Sequence, residues 1–352
     1  MDIIDFLKSA VEQNSSDIYI IAGRPLTYKL NGHITTVNDE RLDPVKTEKM
    51  VKSIYFLAAN RDINRLVLTG DDDFSFAIPG VARFRVSAYK QRGSLAAVIR
   101  VVQFSLPDPK DINIPDTVLS LANMTRGLIL VTGPAGSGKS TTLACIIDII
   151  NSTRSNHIIT LEDPLEYLHN HKQSVVSQRE ISSDTESYVK ALRAALRQSP
   201  DVVLLGEMRD YDTINVAMTA AETGHLVIST LHTVGAANTI DRIIDVFPSN
   251  QQHQIRIQLS MVLQAVVSQQ LLPTTDGIVP AFEIMLANGA VRNMIRESKI
   301  HQIDTVIQSS ASEGMVSMDT SLLNLYKQGK ISEADAIAYS TNSEMMAKRV
   351  KL

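Results

Sequence analysis

The sequence predicts an α/β protein built from two parts, with a helical portion at its C-terminal end. Beyond residue 116, apolar strand-like runs alternate with amphipathic helices, the order of a mostly parallel sheet covered by helices on both faces. Before that point, short strand-like pieces follow one opening helix, as in a small α+β unit. A length of 352 residues is enough for two such domains.

The N-terminal α+β unit is expected over residues 1–104. Its opening helix carries Ile3, Ile4, Leu7 and Val11 at helical spacing. Strand-like apolar runs follow at residues 18–21, 28–30, 74–78, 83–88 and 96–102. Residues 105–116 are polar and contain three prolines, which is typical of a linker.

The second domain is expected over residues 117–352. Strands are predicted at residues 127–132, 158–161, 202–205 and 226–230, and helices at 140–150, 188–198 and 213–223. From about Asn250 onward the apolar spacing favours helices, and the residues that carry it are Ile255, Leu259, Val262, Leu263 and Val266.

Composition excludes several classes of function. A formal net charge of -4 gives no general attraction to nucleic acid. Cys145 is the only cysteine, so intrachain disulfides and multi-cysteine zinc sites are excluded, and a reducing compartment is expected. The first residues lack the basic region of a signal peptide, and the apolar runs are too short to cross a bilayer. A cytoplasmic protein without a transmembrane segment is expected.

The strongest motif is "GPAGSGKST", which matches the phosphate-binding pattern G-x-x-x-x-G-K-[ST] between a predicted strand and a predicted helix. Its glycines let successive backbone N–H groups point at phosphate oxygens, and the helix N-terminus adds partial positive charge. Lys139 would reach the β and γ phosphates of ATP, and the Ser140 hydroxyl would ligate Mg²⁺. The expected nucleotide-binding residues are Gly133, Pro134, Ala135, Gly136, Ser137, Gly138, Lys139, Ser140 and Thr141.

Acidic residues end two of the predicted strands. Glu162 and Asp163 in "TLEDPLEY" fall at the carboxyl end, where an open α/β sheet binds its ligands. In "DVVLLGEMRD", Gly206 stands where such strands usually carry Asp, so Glu207 is the only acid at the tip. Direct metal coordination would lower the basicity of Glu207. We therefore expect Glu207 to orient or deprotonate the water, with Glu162 or Asp163 supporting Mg²⁺ through ordered waters.

Two histidines flank the next strand. His225 precedes it and His232 follows it, so the strand separates them by about 20 Å and they cannot share a metal. His232 and Thr230 fall at the same strand end as the phosphate-binding loop and could contact the γ phosphate. A structural role for a histidine at a strand end remains the alternative.

Arginines cluster in the N-terminal unit. Arg83 and Arg85 share one face of a strand by the period of two, and Arg92 and Arg100 are placed on the next hairpin arm. Solvated surface arginines are the default interpretation. The alternative is an arginine supplied to a neighbouring subunit, where it stabilises charge on the transferred phosphoryl group.

Several segments together resemble the secretion ATPase superfamily, and within it the type IV pilus retraction ATPases. They are "GPAGSGKSTTLA", "TLEDPLEY", "GEMRDYDTINVAMTAAETGHLVISTLHT", "TIDRIIDVFP" and "AVRNMI". The resemblance covers nearly the whole chain. It implies a homohexamer of subunits with an N-terminal PAS-like domain and a RecA-like ATPase domain, which uses ATP and Mg²⁺ to remove pilin through an inner-membrane platform protein. A paralogous retraction ATPase is a further implied partner.

The resemblance also assigns residues. It makes Glu162 and Asp163 an acidic box at the nucleotide, Glu207 the catalytic acid, and His225 and His232 a histidine box. Arg85 and Arg100 correspond to the family's intersubunit arginine fingers. The expected catalytic set is thus Glu207, Glu162, Arg85, Arg100 and His232, with Asp163 and His225 at the cofactor.

Alternatives remain within and outside this family. An accessory retraction ATPase shares the same motifs, whereas pilus assembly and secretion ATPases usually carry a longer N-terminal region and often a four-cysteine zinc insert. Nucleic-acid helicases share the expected fold, but an acidic chain without tryptophan offers them few basic or stacking features. A nucleotide-dependent scaffold that does not hydrolyse ATP would be expected to lack Glu207. This chain has Glu207, which argues against that alternative.

Overall fold

A computed structural model describes residues 3–30, 33–102, 106–274 and 277–351. The chain forms two compact units, of which the first is Met1–Ser105 with Glu166–Leu168 and the second is Leu106–Leu165 with His169–Leu352. The expected boundary between residues 104 and 105 lies outside the described residues. Within the described ranges, no helix is long and apolar enough to cross a membrane.

The first unit is an antiparallel sheet with three helices. Its elements in chain order are α1 (Ile3–Glu12), β1 (Asp17–Ile20), β2 (Pro25–Leu30), β3 (His33–Arg41), α2 (Pro44–Leu57), α3 (Asn64–Thr69), β4 (Asp71–Ile78), β5 (Ala82–Gln91) and β6 (Ser94–Val102). The strand order is β3-β2-β1-β6-β5-β4, and every neighbouring pair is antiparallel. Phe6 of α1 stacks on Tyr28 of β2 inside the core of this unit.

The second unit contains a seven-stranded sheet. Its strands are β7 (Gly127–Thr132), β8 (His157–Glu162), β9 (Val175–Glu180), β10 (Val202–Leu205), β11 (Leu226–Leu231), β12 (Leu263–Thr274) and β13 (Gly277–Leu286). Their order is β13-β12-β7-β11-β10-β8-β9, and all neighbours are parallel except β12 and β13. The predicted mostly parallel sheet is therefore confirmed.

Helices surround this sheet, and short 3-10 turns connect some of them. The helices are α4 (Asp116–Ser120), α5 (Lys139–Thr153), α6 (Tyr188–Ala195), α7 (Tyr211–Glu222), α8 (Ala236–Asp245), α9 (Gln252–Val262), α10 (Gly289–Arg296), α11 (Ile303–Ser309), α12 (Met318–Lys327), α13 (Glu333–Ala338) and α14 (Ser343–Arg349). Polar caps fix several starts, as where Asp210 accepts a hydrogen bond from the Thr213 amide at 2.9 Å.

Both faces of the sheet are buried, which explains why its strands are continuously apolar. Along β10, Val203 and Leu205 join the core beneath α6 to α11, whereas Val202 and Leu204 join the core beneath α4 and α5. Leu106 and Ile114, within the proline-containing stretch, also pack into the latter core. A strand buried on both faces has no polar side to show in the sequence.

The structure corrects the prediction of a helical region from about Asn250. Helix α9 ends at Val262, and Leu263 and Val266 lie in β12, which forms a long antiparallel pair with β13. The apolar spacing continues from the helix into the strand by coincidence, but the β-branched pair Val266 and Val267 suits a buried strand. Beyond Asn250, α9 is helical as predicted, and the described residues after β13 are mainly helical.

Two further corrections concern the first half of the chain. Strands β3 and β9 were not predicted, because β3 is polar and almost entirely exposed and β9 has a mixed pattern. Arg92 lies in the turn between β5 and β6, with φ of +49°, and not on a hairpin arm.

Candidate functional site: a phosphate-binding loop facing acidic strand ends

The loop between β7 and α5 has the backbone of a phosphate cradle. Gly133, Gly136 and Gly138 all adopt positive φ, at 139°, 76° and 86°. Side chains are also excluded by contact, since a Cβ on Gly133 would lie 2.2 Å from the backbone oxygen of Gln269. Helix α5 begins directly after Gly138, so its N-terminal N–H groups and dipole lie at the end of the loop.

The Lys139 side chain is folded back onto the loop that precedes it. Its Nζ donates hydrogen bonds of 2.8 Å to the carbonyl oxygens of Gly133 and Pro134. The residue is buried, and the loop therefore holds a positive charge at its centre. The buried Ser137 Oγ has no hydrogen-bond partner among the described residues. Positive charge, glycine-rich backbone and an unsatisfied hydroxyl are together the features expected of a site for a polyphosphate.

Gln269 of β12 supports this loop from behind, although it is not among the predicted site residues. Its side chain is only 3% exposed, and its Oε1 accepts a hydrogen bond of 2.7 Å from the Thr142 hydroxyl of α5. Its Nε2 lies 2.8 Å from the place of a Cβ on Gly138. The two ends of the loop thus rest on one residue that lies more than 120 positions later in the chain.

The acidic strand ends lie in register beside the loop. Leu161 of β8 is aligned with Leu205 of β10, and Leu205 with Ser229 of β11, so the residues that follow also lie side by side. The Thr230 hydroxyl donates a hydrogen bond of 2.6 Å to the carbonyl of Gly206, and the Gly206 amide donates to Leu161 at 2.8 Å. The structure therefore brings Glu162, Gly206 and Thr230 to one edge of the sheet.

Gly206 has a steric explanation. A Cβ at this position would lie 2.8 Å from the hydroxyl of Tyr188, 3.3 Å from the Cα of Glu162 and 3.3 Å from the carbonyl oxygen of Leu161. The hydroxyl of Tyr188, at the start of α6, fills the place of the acid that this strand end lacks. Burial raises the pKa of Tyr188, and the negative charges of Glu207, Asp163 and Glu162 raise that pKa further. Tyr188 is not among the site residues that the sequence predicts.

The structure brings Glu207 together with His232. Its Oε2 lies 3.4 Å from the His232 Nε2 and accepts a hydrogen bond of 2.5 Å from the Arg209 Nε. The Glu207 side chain is 19% exposed, whereas Arg209 is 70% exposed. These residues border a cavity of about 330 Å³ that Arg242, Thr230 and Thr233 also line. The acid can therefore reach water while its orientation is held by a neighbour.

The loop after His232 is tied to a buried carboxylate. Glu283 of β13 accepts hydrogen bonds from the Ala236 amide at 2.8 Å and from the Met318 amide at 3.3 Å, and it thereby caps both α8 and α12. Burial raises the pKa of Glu283, the two backbone hydrogen bonds oppose this, and the charges of Asp304 and Asp319 add to the increase.

The structure does not bring His225 to the phosphate-binding loop. His225 precedes β11, and its Nδ1 lies 3.0 Å from the carbonyl oxygen of Ala220. Its own carbonyl accepts a hydrogen bond from the amide of Gly127, at the beginning of β7. The loop follows the other end of β7, about 20 Å away along the strand. Within one chain His225 therefore lies away from the phosphate-binding loop, and its assignment to the cofactor stays a prediction.

Arg85 and Arg100 are directly paired in the first unit. They are Cα partners across β5 and β6, and both are exposed. The Arg100 Nε donates a hydrogen bond of 3.3 Å to Asp17 of β1. The two expected arginine fingers thus form one exposed cationic pair, while the phosphate-binding loop belongs to the second unit.

The donor set fits Mg²⁺ only in company with phosphate. Ser140 lies half-buried in the first turn of α5, Glu162 ends β8, Asp163 follows it, and Glu207 lies just after β10. Among the described residues, no group of three or more acidic, histidine or cysteine side chains could hold a metal alone. Mg²⁺ commonly keeps several waters and binds through one or two protein oxygens plus substrate phosphates, which is compatible with this arrangement.

Comparison with known proteins agrees with this site. The model of the "Type II/IV secretion system protein" family matches residues 2–335. The retraction ATPase PilT of Pseudomonas aeruginosa is 42% identical over 96% of this chain and 97% of its own. A twitching motility protein of Neisseria gonorrhoeae is 44% identical over 98% of this chain and 92% of its own. PilU of Pseudomonas aeruginosa is 36% identical over 100% of this chain and 92% of its own.

Solved structures give the same answer. The pilus retraction motor PilT with bound ADP superposes with a TM-score of 0.90 at 47% identity, covering 98% of each chain. The Legionella pneumophila ATPase DotB gives a TM-score of 0.80 at 28% identity, covering 96% of this chain and 95% of its own. The chain belongs to the type II/IV secretion system protein family and, within it, to the PilT-type pilus retraction ATPases.

Proposed function

We propose that this protein is a Mg²⁺-dependent ATP hydrolase that works as a homohexameric motor and powers type IV pilus retraction and twitching motility. One observation carries the proposal: the phosphate-binding loop at residues 133–141 follows β7 at the same edge of the parallel sheet as the strand ends that carry Glu162 and Glu207. The full-length likeness to PilT supports the retraction role. The six-stranded antiparallel unit and the mainly parallel unit support a PAS-like and a RecA-like assignment.

The residues divide the reaction between them. The loop amides and Lys139 bind the phosphates, and Ser140 would hold Mg²⁺, which would neutralise phosphate charge. Glu207, held by Arg209 at one oxygen, orients the attacking water and accepts its proton. His232 and Thr230 lie at the same edge, where they contact the γ phosphate. Glu162 and Asp163 would support the metal ion through ordered waters.

Glu207→Gln tests this division of labour. The substitution keeps the shape and removes the base, so we expect kcat to fall by about 10²- to 10⁴-fold while ATP affinity changes little. Glu222→Gln is the matched control, since Glu222 is an exposed acid at the far end of α7. Unchanged turnover in Glu207→Gln, with normal ATP binding, would show that another group activates the water.

Arg85 and Arg100 are proposed to act on the nucleotide of a neighbouring subunit. Mixing tests this, because Arg100→Ala and Glu207→Gln proteins should each be inactive alone. A mixed ring contains interfaces with an intact arginine on one side and an intact Glu207 on the other, and activity should return there. If mixing restores nothing, the arginines do not act between subunits.

A gene deletion distinguishes a retraction ATPase from an assembly ATPase in the cell. Deletion of the gene should leave excess surface pili and abolish twitching, with the membrane platform protein intact. Loss of pili would instead indicate an assembly ATPase. The 36% identity to PilU keeps an accessory role as the second candidate. In that case, deletion of the gene lowers retraction only in cells that contain a second retraction ATPase.

A further inference from the structure

Tyr188 occupies the position that completes the acidic edge. Its hydroxyl lies against Gly206, which follows β10, and β10 pairs with β8, the strand that ends at Glu162. The side chain is half-buried, and its ring packs against the core beneath α6 to α11. The ring therefore fixes the hydroxyl at the strand edge.

We propose that the Tyr188 hydroxyl is a positioning group for ATP hydrolysis, a neutral donor that takes the place of the acidic side chain missing at position 206 and orients the neighbouring carboxylates. This inference rests on the proposed function. The geometry carries it. The Tyr188 oxygen would be the nearest neighbour of a Cβ at position 206, and the Cα of Glu162 is the next.

The charges around the hydroxyl favour a donor. Burial raises the pKa of Tyr188, the negative charges of Glu207, Asp163 and Glu162 raise it further, and the positive charge of Arg209 opposes them. Surrounding negative charge and burial both keep the proton on the oxygen. A phenol that keeps its proton can donate one hydrogen bond to a carboxylate at any working pH.

The arrangement also explains the choice of residue on both elements. An Asp at position 206 would put a fourth carboxylate beside three others and would collide with the hydroxyl. Glycine and tyrosine are therefore a matched pair: the glycine makes room, and the tyrosine supplies a polar atom without charge. Neither residue can be changed alone without losing one half of this arrangement.

Tyr188→Phe removes the oxygen and keeps the ring. We expect kcat for ATP to fall about tenfold, while the Kd for ADP stays within twofold and the melting temperature is unchanged. Tyr211→Phe is the matched control, because Tyr211 also begins a helix and is half-buried, yet its hydroxyl bonds Gln251 at 3.1 Å. Equal turnover in Tyr188→Phe and wild type would overturn the proposal.

A relocated hydroxyl provides a second test. In Tyr188→Phe with Gly206→Ser, the serine oxygen extends from the Cβ toward the vacated position, and we expect part of the lost kcat to return. Gly206→Ser in the wild-type background should instead reduce stability, because its Cβ meets the tyrosine oxygen. If the double variant is no faster than Tyr188→Phe and Gly206→Ser alone is harmless, the hydroxyl does not occupy this place.

The two proposals fail differently. If the wild-type protein does not hydrolyse ATP, the proposed function is wrong. If wild type and Tyr211→Phe hydrolyse ATP and Tyr188→Phe does so equally fast, only the role of Tyr188 is wrong.

Discussion

Gln269 should determine how firmly the phosphate-binding loop is held. We consider Gln269→Met, which keeps an unbranched side chain of similar length and removes both polar atoms. The lost acceptor leaves the Thr142 hydroxyl, which is 1% exposed, without its 2.7 Å partner. A buried hydroxyl without a partner costs about 1–3 kcal/mol. In a domain of about 240 residues, 2 kcal/mol corresponds to a fall of roughly 4–8 °C in the melting temperature.

A double-mutant cycle isolates the hydrogen bond from the packing. Thr142→Val removes the donor, and the double variant removes both polar partners, so it should cost less than the two single changes added together. We expect a coupling energy of about 1 kcal/mol from thermal or urea unfolding. The Kd for ADP should rise in Gln269→Met, because Gly133 and Gly138 rest on this residue.

Gln270→Met is the matched control. Gln270 is the next residue of β12, points to the other face and donates to the carbonyl of Tyr339 at 3.3 Å. Its substitution should leave ADP affinity unchanged. Support of the loop by Gln269 is refuted if the stability losses of the single changes at Thr142 and Gln269 simply add in the double variant. It is also refuted if Gln269→Met and Gln270→Met weaken ADP binding equally.

Two further predictions concern the helices around the site. Burial raises the pKa of Glu283, so the folded state favours its protonated form, and this stabilisation is lost as the pH rises from the unfolded pKa through the folded pKa. Glu283→Gln should therefore gain melting temperature relative to wild type more at pH 8 than at pH 4, and equal differences would contradict the buried charge. Arg292 of "AVRNMI" donates to the carbonyls of Ser260 and Met261 at 2.7 and 2.9 Å, at the end of α9. Arg292→Met should lower stability by about 1–2 kcal/mol, whereas exposed Arg296→Met on the same helix should not, as urea unfolding would show.

The features that the sequence predicts are formed by residues close together in the chain. The phosphate-binding loop, the strand before it and the helix after it are contiguous, and each has a local signature: apolar run, glycines, then helical spacing. The acids at 162 and 207 were predicted because each lies at the end of an apolar run. Parallel pairing then brings these ends to one edge without any further information.

What the sequence could not predict depended on residues that meet only in the folded chain. Gln269 lies within an apolar strand of the C-terminal half, in a region where the apolar spacing predicted a helix. Glu283 sits in an antiparallel strand that was not predicted, and its two partners begin different helices. A polar residue within an apolar run marks a buried polar contact, but the run alone does not name the partner.

Gly206 shows how far a local interpretation can be misleading. Beside Glu207 in the sequence, glycine indicates a missing acid and an incomplete site. In the fold, the same glycine is the clearance for a tyrosine that arrives from α6. A missing side chain therefore has two possible meanings, absence of a function or room for a group from elsewhere. The 2.8 Å contact selects the second, because an unused position would not need to exclude even a methyl group.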